Sequence, residues 1–131
     1  MADFLAEVSN HKYRIYGAEL SPYSVKLRSY FRFKQIPHQW IIRSAATMDE
    51  FAKFAKLPII PLLVTPQLEG AQDSTLVIEQ LEALNSQDSI YPEDTTVNFV
   101  STLLEEFGDE WGNKWMFHYR WARDIDQIAS A

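Results

Sequence analysis

The sequence predicts an α/β fold in which a mixed four-stranded sheet with helices on both faces is followed by an incomplete all-helical segment. Short runs rich in β-forming residues alternate with helical periodicity across residues 10–85, in the order βαβα and then ββα. A right-handed crossover makes the first two strands parallel neighbours, whereas a tight turn makes the last two antiparallel. Together these two connections require a mixed sheet.

The first strand and the first helix have clear local signals. The alternating, β-forming run Tyr13–Gly17 ends at a glycine, which predicts a strand. Ser21 then offers an N-cap hydroxyl, and Pro22 occupies the first helical position, where its missing N–H costs nothing. The apolar residues that follow fall on one side of a helix: Tyr23, Leu27, Tyr30 and Phe31.

The middle of this domain is predicted to contain a strand, a short helix and a second strand. The strand covers residues 38–43, and Thr47 begins a short helix over Met48–Phe54. Residues 59–66 form a short apolar strand with Pro61 at its start, because a central ladder position does not tolerate proline.

The last strand and helix of the domain follow a turn at residues 67–70. Residues 71–72 form a brief returning strand, so the two strands make a hairpin. Asp73 and Ser74 then precede a helix, which is predicted because its apolar residues recur at three and four: Val77, Ile78, Leu81 and Leu84.

A polar linker separates this domain from a helical tail. The linker covers residues 86–93, and the tail, residues 94–131, opens with an amphipathic helix near Asp94. The apolar residues of that helix follow at steps of three and four: Val97, Val100, Leu104, Phe107 and Trp111. Aromatic residues continue to Trp121, and a lone helix cannot bury so many, so we expect partner helices to be missing from this chain.

Composition excludes several classes of function. The 131-residue chain has no cysteine, which excludes disulfides, thiolate metal sites and a protein-based redox couple. No metal is expected, because His11, His38 and His118 are far apart and have no ligand-type partner nearby. The net charge of −6 argues against nucleic acid as a partner. Without an uninterrupted apolar run or a leader-like start, we expect no membrane span and a cytoplasmic location.

The element order and three short motifs resemble the N-terminal, thioredoxin-like domain of glutathione S-transferases. The motifs are Ser21-Pro22-Tyr23-Ser24, Ile60-Pro61, and Gln72-Asp73-Ser74-Thr75. The first looks like the Cys-Pro-Tyr-Cys of glutaredoxins with both sulfurs replaced by oxygen. The resemblance covers residues 13–84 and continues over residues 92–121, which look like the first helix of the second domain of a bacterial member.

This resemblance implies that glutathione is a co-substrate and that no cofactor is permanently bound. Ser21 would donate a hydrogen bond to the glutathione thiolate, which the helix N-terminus also stabilises. The thiolate, not Ser21, would attack a small hydrophobic electrophile. From local sequence alone, an ordinary helix cap is the favoured explanation of Ser21, and the other two motifs reverse that preference.

The resemblance also assigns the rest of the glutathione site. The backbone of Ile60 would pair with the cysteinyl amide of glutathione, held in register by a cis Pro61. Asp73 and Ser74 would bind the γ-glutamyl end, a role compatible with capping the third helix. Lys56 would reach the glycyl carboxylate, although simple solvent exposure explains it equally well.

Two questions stay open at this level. Many family members have a glycine shortly before the Ile/Val-Pro pair, whereas this chain has Lys56-Leu57-Pro58-Ile59, so the loop conformation is undetermined. The leading function is a glutathione transferase, with a homodimer favoured by the aromatic tail, and the alternative is a non-catalytic interaction or assembly module with the same fold. A glutaredoxin-like oxidoreductase ranks third, because the absence of cysteine nearly eliminates it.

Overall fold

The N-terminal part of the chain alternates strands and helices in the order that the sequence predicts. The computed structural model describes residues 12–84 and 88–130. Several residues of the predicted segments lie outside the described ones. They are residues 10–11, including His11, and 85 of the domain, residues 86–87 of the linker, and Ala131. The elements are β1 (Tyr13–Gly17), α1 (Pro22–Phe33), β2 (His38–Ile42), α2 (Met48–Phe54), β3 (Leu62–Val64), β4 (Gly70–Gln72) and α3 (Ser74–Leu84).

The four strands form one mixed sheet in the order β2-β1-β3-β4. β1 is parallel to β2 and antiparallel to β3, and β3 is antiparallel to β4. The hairpin between β3 and β4 is closed by the Thr65 amide, which donates to the Glu69 carbonyl oxygen at 2.9 Å. The prediction of a mixed four-stranded sheet is confirmed.

Helices cover both faces of the sheet, because successive strand residues point to opposite sides. Ile15 and Leu63 face a cluster of buried side chains from α1 and α3, namely Leu27, Tyr30, Phe31, Val77 and Ile78. On the other face, Tyr16, Leu62 and Val64 pack around Phe51 of α2. The predicted packing of helices on both faces is therefore confirmed.

The bounds of three strands and the cap of α2 differ from the prediction; β2 ends at Ile42 and β4 begins at Gly70. β3 contains only Leu62–Val64, because Pro61 has no N–H to place in the ladder and the residues before it form a loop. Thr47 does not cap α2 with its side chain. Its hydroxyl instead donates to the carbonyl oxygen of Ile42 at 2.9 Å, at the end of a 3₁₀ turn over Ala45–Thr47.

Polar contacts join α1 and α3 at both of their ends. Near the N-termini, Lys26 Nζ donates to Thr75 Oγ1 at 2.8 Å. Near the C-termini, Lys34 Nζ lies 2.8 Å from Glu82 Oε1, and both side chains are almost fully buried, at 3% and 4% exposure. The Tyr30 hydroxyl also donates to Glu82 Oε1 at 2.8 Å. The two helices therefore run parallel, with both N-termini at the same end.

The described residues from Thr95 to Ser130 are largely helical. Backbone contacts group the chain into two compact units, Met1–Ser86 and Gln87–Ala131. Asp94 begins the helices of the second unit, because its carboxylate accepts from the amides of Thr96 and Val97, both at 2.9 Å. These helices are α4 (Thr95–Phe107), a π-helical segment (Gly108–Gly112), α5 (Asn113–Trp121) and α6 (Asp124–Ser130).

The apolar side chains of the second unit are exposed. None of its helices contains a buried residue within the described part of the chain. The apolar face predicted from periodicity spans α4 and the π-helical segment and is 46–64% exposed, and it consists of Val97, Val100, Leu104, Phe107 and Trp111. Across residues 12–84 and 88–130, no helix is long and apolar enough to cross a membrane.

The buried pair of Lys34 and Glu82 yields a stability prediction. Lys34→Met should lower the free energy of unfolding by about 3 kcal/mol, because it leaves a buried carboxylate without its cationic partner. The double variant Lys34→Met/Glu82→Leu should recover most of that loss. Urea unfolding measures the difference, and Lys53→Met, at an exposed position of α2, is the matched control. Equal stability of the two single variants would contradict the prediction.

Candidate functional site

Three connections leave the sheet at the same edge. Tyr16 near the end of β1 lies opposite Leu62 at the start of β3, and Leu62 also lies opposite Gln72 at the end of β4. The loop into α1, the loop into β3 and the turn into α3 therefore meet there. All six residues predicted from sequence lie on these connections or directly after them: Ser21, Lys56, Ile60, Pro61, Asp73 and Ser74.

Ser21 is the N-cap of α1. Its backbone is extended, with φ −93° and ψ 112°, and its Oγ accepts from the Ser24 amide at 3.3 Å. Its carbonyl oxygen accepts from the Val25 amide at 3.0 Å. A hydroxyl carries one hydrogen besides its two lone pairs, so accepting from Ser24 leaves that hydrogen for a ligand. Capping and hydrogen bonding to a ligand are therefore compatible roles for this side chain.

A close contact with β1 holds the N-terminus of α1. Ser24 is fully buried against Gly17, the last residue of β1. A Cβ on Gly17 would lie 2.8 Å from Ser24 Cβ and 2.5 Å from the ring of Trp40, which is closer than real Cβ contacts allow. Glycine at this position lets the first turn of α1 reach the strand, and this contact fixes where Ser21 sits.

An ion pair holds the loop that precedes Ser21. The guanidinium of Arg28, in α1, donates to both carboxylate oxygens of Glu19 at 2.6 and 2.7 Å. Arg28 also lies 4.3 Å above the ring of Trp40 on β2. The hydrogen bond from Arg28 lowers the pKa of the Glu19 carboxyl below its usual range. The pair therefore ties the loop before α1 to the sheet.

The loop before β3 is fixed by a side chain from β4. The peptide bond between Ile60 and Pro61 is cis, and Pro61 is buried. The Gln72 amide binds the backbone of the preceding residues through four hydrogen bonds, to Lys56, Leu57 and Ile59. Lys56 takes part through its backbone amide and is an exposed residue.

Asp73 and Ser74 form the start of α3. Asp73 has φ 77°, in the left-handed region, which aspartate tolerates better than most residues. Its Oδ1 accepts from the amides of Thr75 and Leu76 at 3.1 and 3.3 Å, so the predicted cap is present. Ser74 is buried, at 5% exposure, as the first residue of the helix.

The electrostatics of this edge favour an anionic group. Since α1 and α3 run parallel, both present the partial positive charge of their N-termini at the same end. The ammonium of Lys26 lies beside that end, where it donates to Thr75 at 2.8 Å. Burial raises the pKa of the Tyr16 hydroxyl to about 12. Tyr16 therefore stays uncharged at neutral pH and adds no negative charge at this edge. In the described residues, no group of His, Asp and Glu side chains is suited to hold a metal ion.

A family model described as the N-terminal domain of glutathione S-transferase matches residues 15–89, more than half of the chain. The chain belongs to the glutathione S-transferase family. The matched range contains Ser21, the Ile60–Pro61 bond and the turn into α3. A search of curated protein sequences finds no match.

Solved glutathione S-transferases share the fold. One from Methylobacterium radiotolerans, in complex with glutathione sulfonate, has 23% identity and a TM-score of 0.66, over 75% of this chain and 47% of that one. A Tau class enzyme from mango, Mangifera indica, has 20% identity and a TM-score of 0.64, over 92% and 51%. Ure2p in complex with glutathione has 10% identity and a TM-score of 0.65, over 87% and 57%.

These likenesses confirm the predicted thioredoxin-like fold followed by helices. Two of the three structures contain glutathione or glutathione sulfonate. The chain spans about half the length of each of these proteins.

The contact between Gly17 and Ser24 yields a second prediction. Gly17→Ala should lower the free energy of unfolding by about 1–3 kcal/mol, because α1 must move away from β1 to admit a methyl group. Gly108→Ala is the control, since a Cβ there meets no atom within 4 Å, and it should be neutral or stabilising. Chemical denaturation compares the two. A Gly17→Ala variant as stable as Gly108→Ala would show that the close contact between α1 and β1 does not require glycine at this position.

Proposed function

We propose that this chain binds glutathione as part of a glutathione transferase, with Ser21 stabilising the thiolate that attacks a small hydrophobic electrophile. The observation that carries the proposal is the strand register at Leu62, which brings the connections bearing Ser21, Ile60 and Asp73 to one edge. Membership of the glutathione S-transferase family supports it.

The chemistry assigned to Ser21 is electrostatic. A free thiol has a pKa near 8.5, so only a minor part of glutathione is ionised at neutral pH. The α1 N-terminus and a hydrogen bond donated by the Ser21 hydroxyl both favour the thiolate and lower that pKa. The sulfur then forms a bond to the electrophilic carbon, while a leaving group departs or an electron pair shifts onto the acceptor. Ser21 stays uncharged throughout.

The rest of glutathione is assigned to the other two connections. The backbone of Ile60 pairs with the cysteinyl amide like an added strand. Asp73 attracts the α-ammonium of the γ-glutamyl group, and Ser74 with the α3 N-terminus receives its α-carboxylate. Lys56, which is an exposed residue, pairs with the glycyl carboxylate. No permanently bound cofactor is needed, because the thiol supplies the nucleophile.

One observation favours the alternative of a non-catalytic assembly module. The described helices of the second unit bury none of their residues, and the apolar face of α4 is exposed. Such a face is typical of a surface that another polypeptide covers, for example in a homodimer. Glutathione binding distinguishes the two functions, because the assembly module requires a protein partner and no affinity for glutathione.

Ser21 provides the test of the chemical step. Ser21→Ala should raise the pKa of the bound glutathione thiol by about one unit, since a hydrogen bond to a charged group contributes roughly 1.5–3 kcal/mol and water replaces part of it. Affinity for glutathione should change little. Ultraviolet absorbance of the thiolate, followed against pH, gives the pKa. Ser29→Ala, at an exposed position of α1, is the control. An unchanged pKa would leave Ser21 as a helix cap only.

Asp73 provides the test of the γ-glutamyl site. Asp73→Asn keeps a capping oxygen and tolerates a positive φ, but it removes the negative charge. Glutathione affinity should fall about tenfold, which corresponds to about 1.4 kcal/mol, without loss of folding. Titration calorimetry measures the affinity.

The matched control is Asp94→Asn, because Asp94 caps α4 through the equivalent two amides. Glutathione acetylated at its α-amine should bind wild type and Asp73→Asn equally. If both asparagine variants bound glutathione as wild type does, the assignment of Asp73 would be wrong.

A further inference from the structure

We propose that Gln72 is a positioning residue for glutathione, because its side chain sets the backbone of the loop that ends at Ile60. This inference rests on the proposed function and adds to it a residue that does not touch the ligand. The loop between α2 and β3 has no regular secondary structure, and the residues from Lys56 to Ile59 are all exposed. Side-chain packing therefore does not hold these four residues in place, whereas Ala55 and Ile60 on either side of them pack against the Leu62 cluster.

The four hydrogen bonds of Gln72 use the full capacity of its amide. Oε1 accepts from the backbone amides of Lys56 and Leu57 at 3.0 and 2.9 Å. Nε2 donates to the carbonyl oxygens of Leu57 and Ile59, both at 2.8 Å. A primary amide has two acceptor lone pairs and two N–H groups, so none of its capacity is left over. The arrangement also fixes the amide orientation, because a flip would set N–H against N–H and oxygen against oxygen.

The strand register explains why Gln72 reaches this loop. Gln72 lies opposite Leu62, and directly opposed residues of an antiparallel pair project on the same face of the sheet. Leu62 packs in the cluster with Phe51 of α2, so Gln72 projects on the α2 side, where the loop emerges. The next residue, Asp73, turns into α3 on the opposite face. One residue of β4 thus fixes the loop, while its neighbour begins the γ-glutamyl site.

The geometry links two parts of the ligand site. Ile59 accepts a hydrogen bond from Gln72, and Ile60, which would pair with the cysteinyl amide, follows directly. Backbone pairing needs a fixed direction of the N–H and C=O groups, because a hydrogen bond weakens steeply with its angle. We therefore expect glutathione affinity to depend on both amide functions of Gln72 and not on side-chain size alone.

The test replaces Gln72 by glutamate, which matches its size. An ionised carboxylate has no hydrogen to donate, so it faces the carbonyl oxygens of Leu57 and Ile59 with repulsion. Glutathione affinity of Gln72→Glu should fall about tenfold or more in titration calorimetry, because the loop loses two hydrogen bonds and its carbonyl oxygens face a negative charge. Gln67→Glu makes the same charge change at the exposed turn at the other end of the hairpin, and it should stay within about twofold of wild type.

Nuclear magnetic resonance supplies a signature that a general loss of stability does not produce. In Gln72→Ala, the amides of Lys56 and Leu57 should lose protection from hydrogen exchange, whereas the buried amide of Leu63 keeps it. The Ile60 amide resonance should shift when glutathione is added to wild type or Gln67→Glu, and shift less in Gln72→Glu at the same glutathione concentration.

The outcomes separate this inference from the proposed function. If wild type binds glutathione and Gln72→Glu binds equally well, the role of Gln72 is overturned and the proposed function stands. If wild type does not bind glutathione, the proposed function fails and the positioning role fails with it. Unchanged exchange at Lys56 and Leu57 in Gln72→Ala would overturn the inference regardless of binding.

Discussion

The pairing of Leu62 with both Tyr16 and Gln72 is the constraint on which the rest of the site depends. A strand pairs on two sides, and its register on each side decides which connections share an edge of the sheet. A shift of β3 by one residue would turn Leu62 and Leu63 to the opposite faces of the sheet. Each would then face helices that pack well only against the other side chain. Burial of these two residues therefore also fixes the position of the connections that carry Ser21, Ile60 and Asp73.

Two residues of the candidate site combine a structural role with capacity for a ligand. Ser21 caps α1 by accepting a hydrogen bond and keeps its own hydrogen. Asp73 caps α3 with one carboxylate oxygen and stands at a backbone conformation that few residues tolerate. Helix caps select short polar side chains, and anion sites at helix N-termini select the same types. A cap and a ligand site at these two residues are thus compatible and not competing explanations.

The two units differ in how their apolar residues are used. In the first unit, the apolar residues of the strands and helices are buried together in two clusters, one around Leu63 and one around Leu62. In the second unit, the same helical periodicity is present in α4, but its apolar face is exposed. Periodicity reports which side of a helix is apolar, and it does not report what covers that side. Family membership rests on residues 15–89, within which nearly all of the first unit's elements lie.

The sequence by itself determined the features that depend on neighbouring residues. The cap at Ser21 with Pro22, the hairpin from β3 to β4 and the start of α3 at Asp73 all follow from signals within a few positions. Short motifs then indicated the family. Tertiary structure alone decided how distant residues meet. Gln72 with the loop from Lys56 to Ile59, and Lys34 with Glu82, pair side chains through the fold. No local pattern encodes such a partner, because it depends on strand register and helix packing.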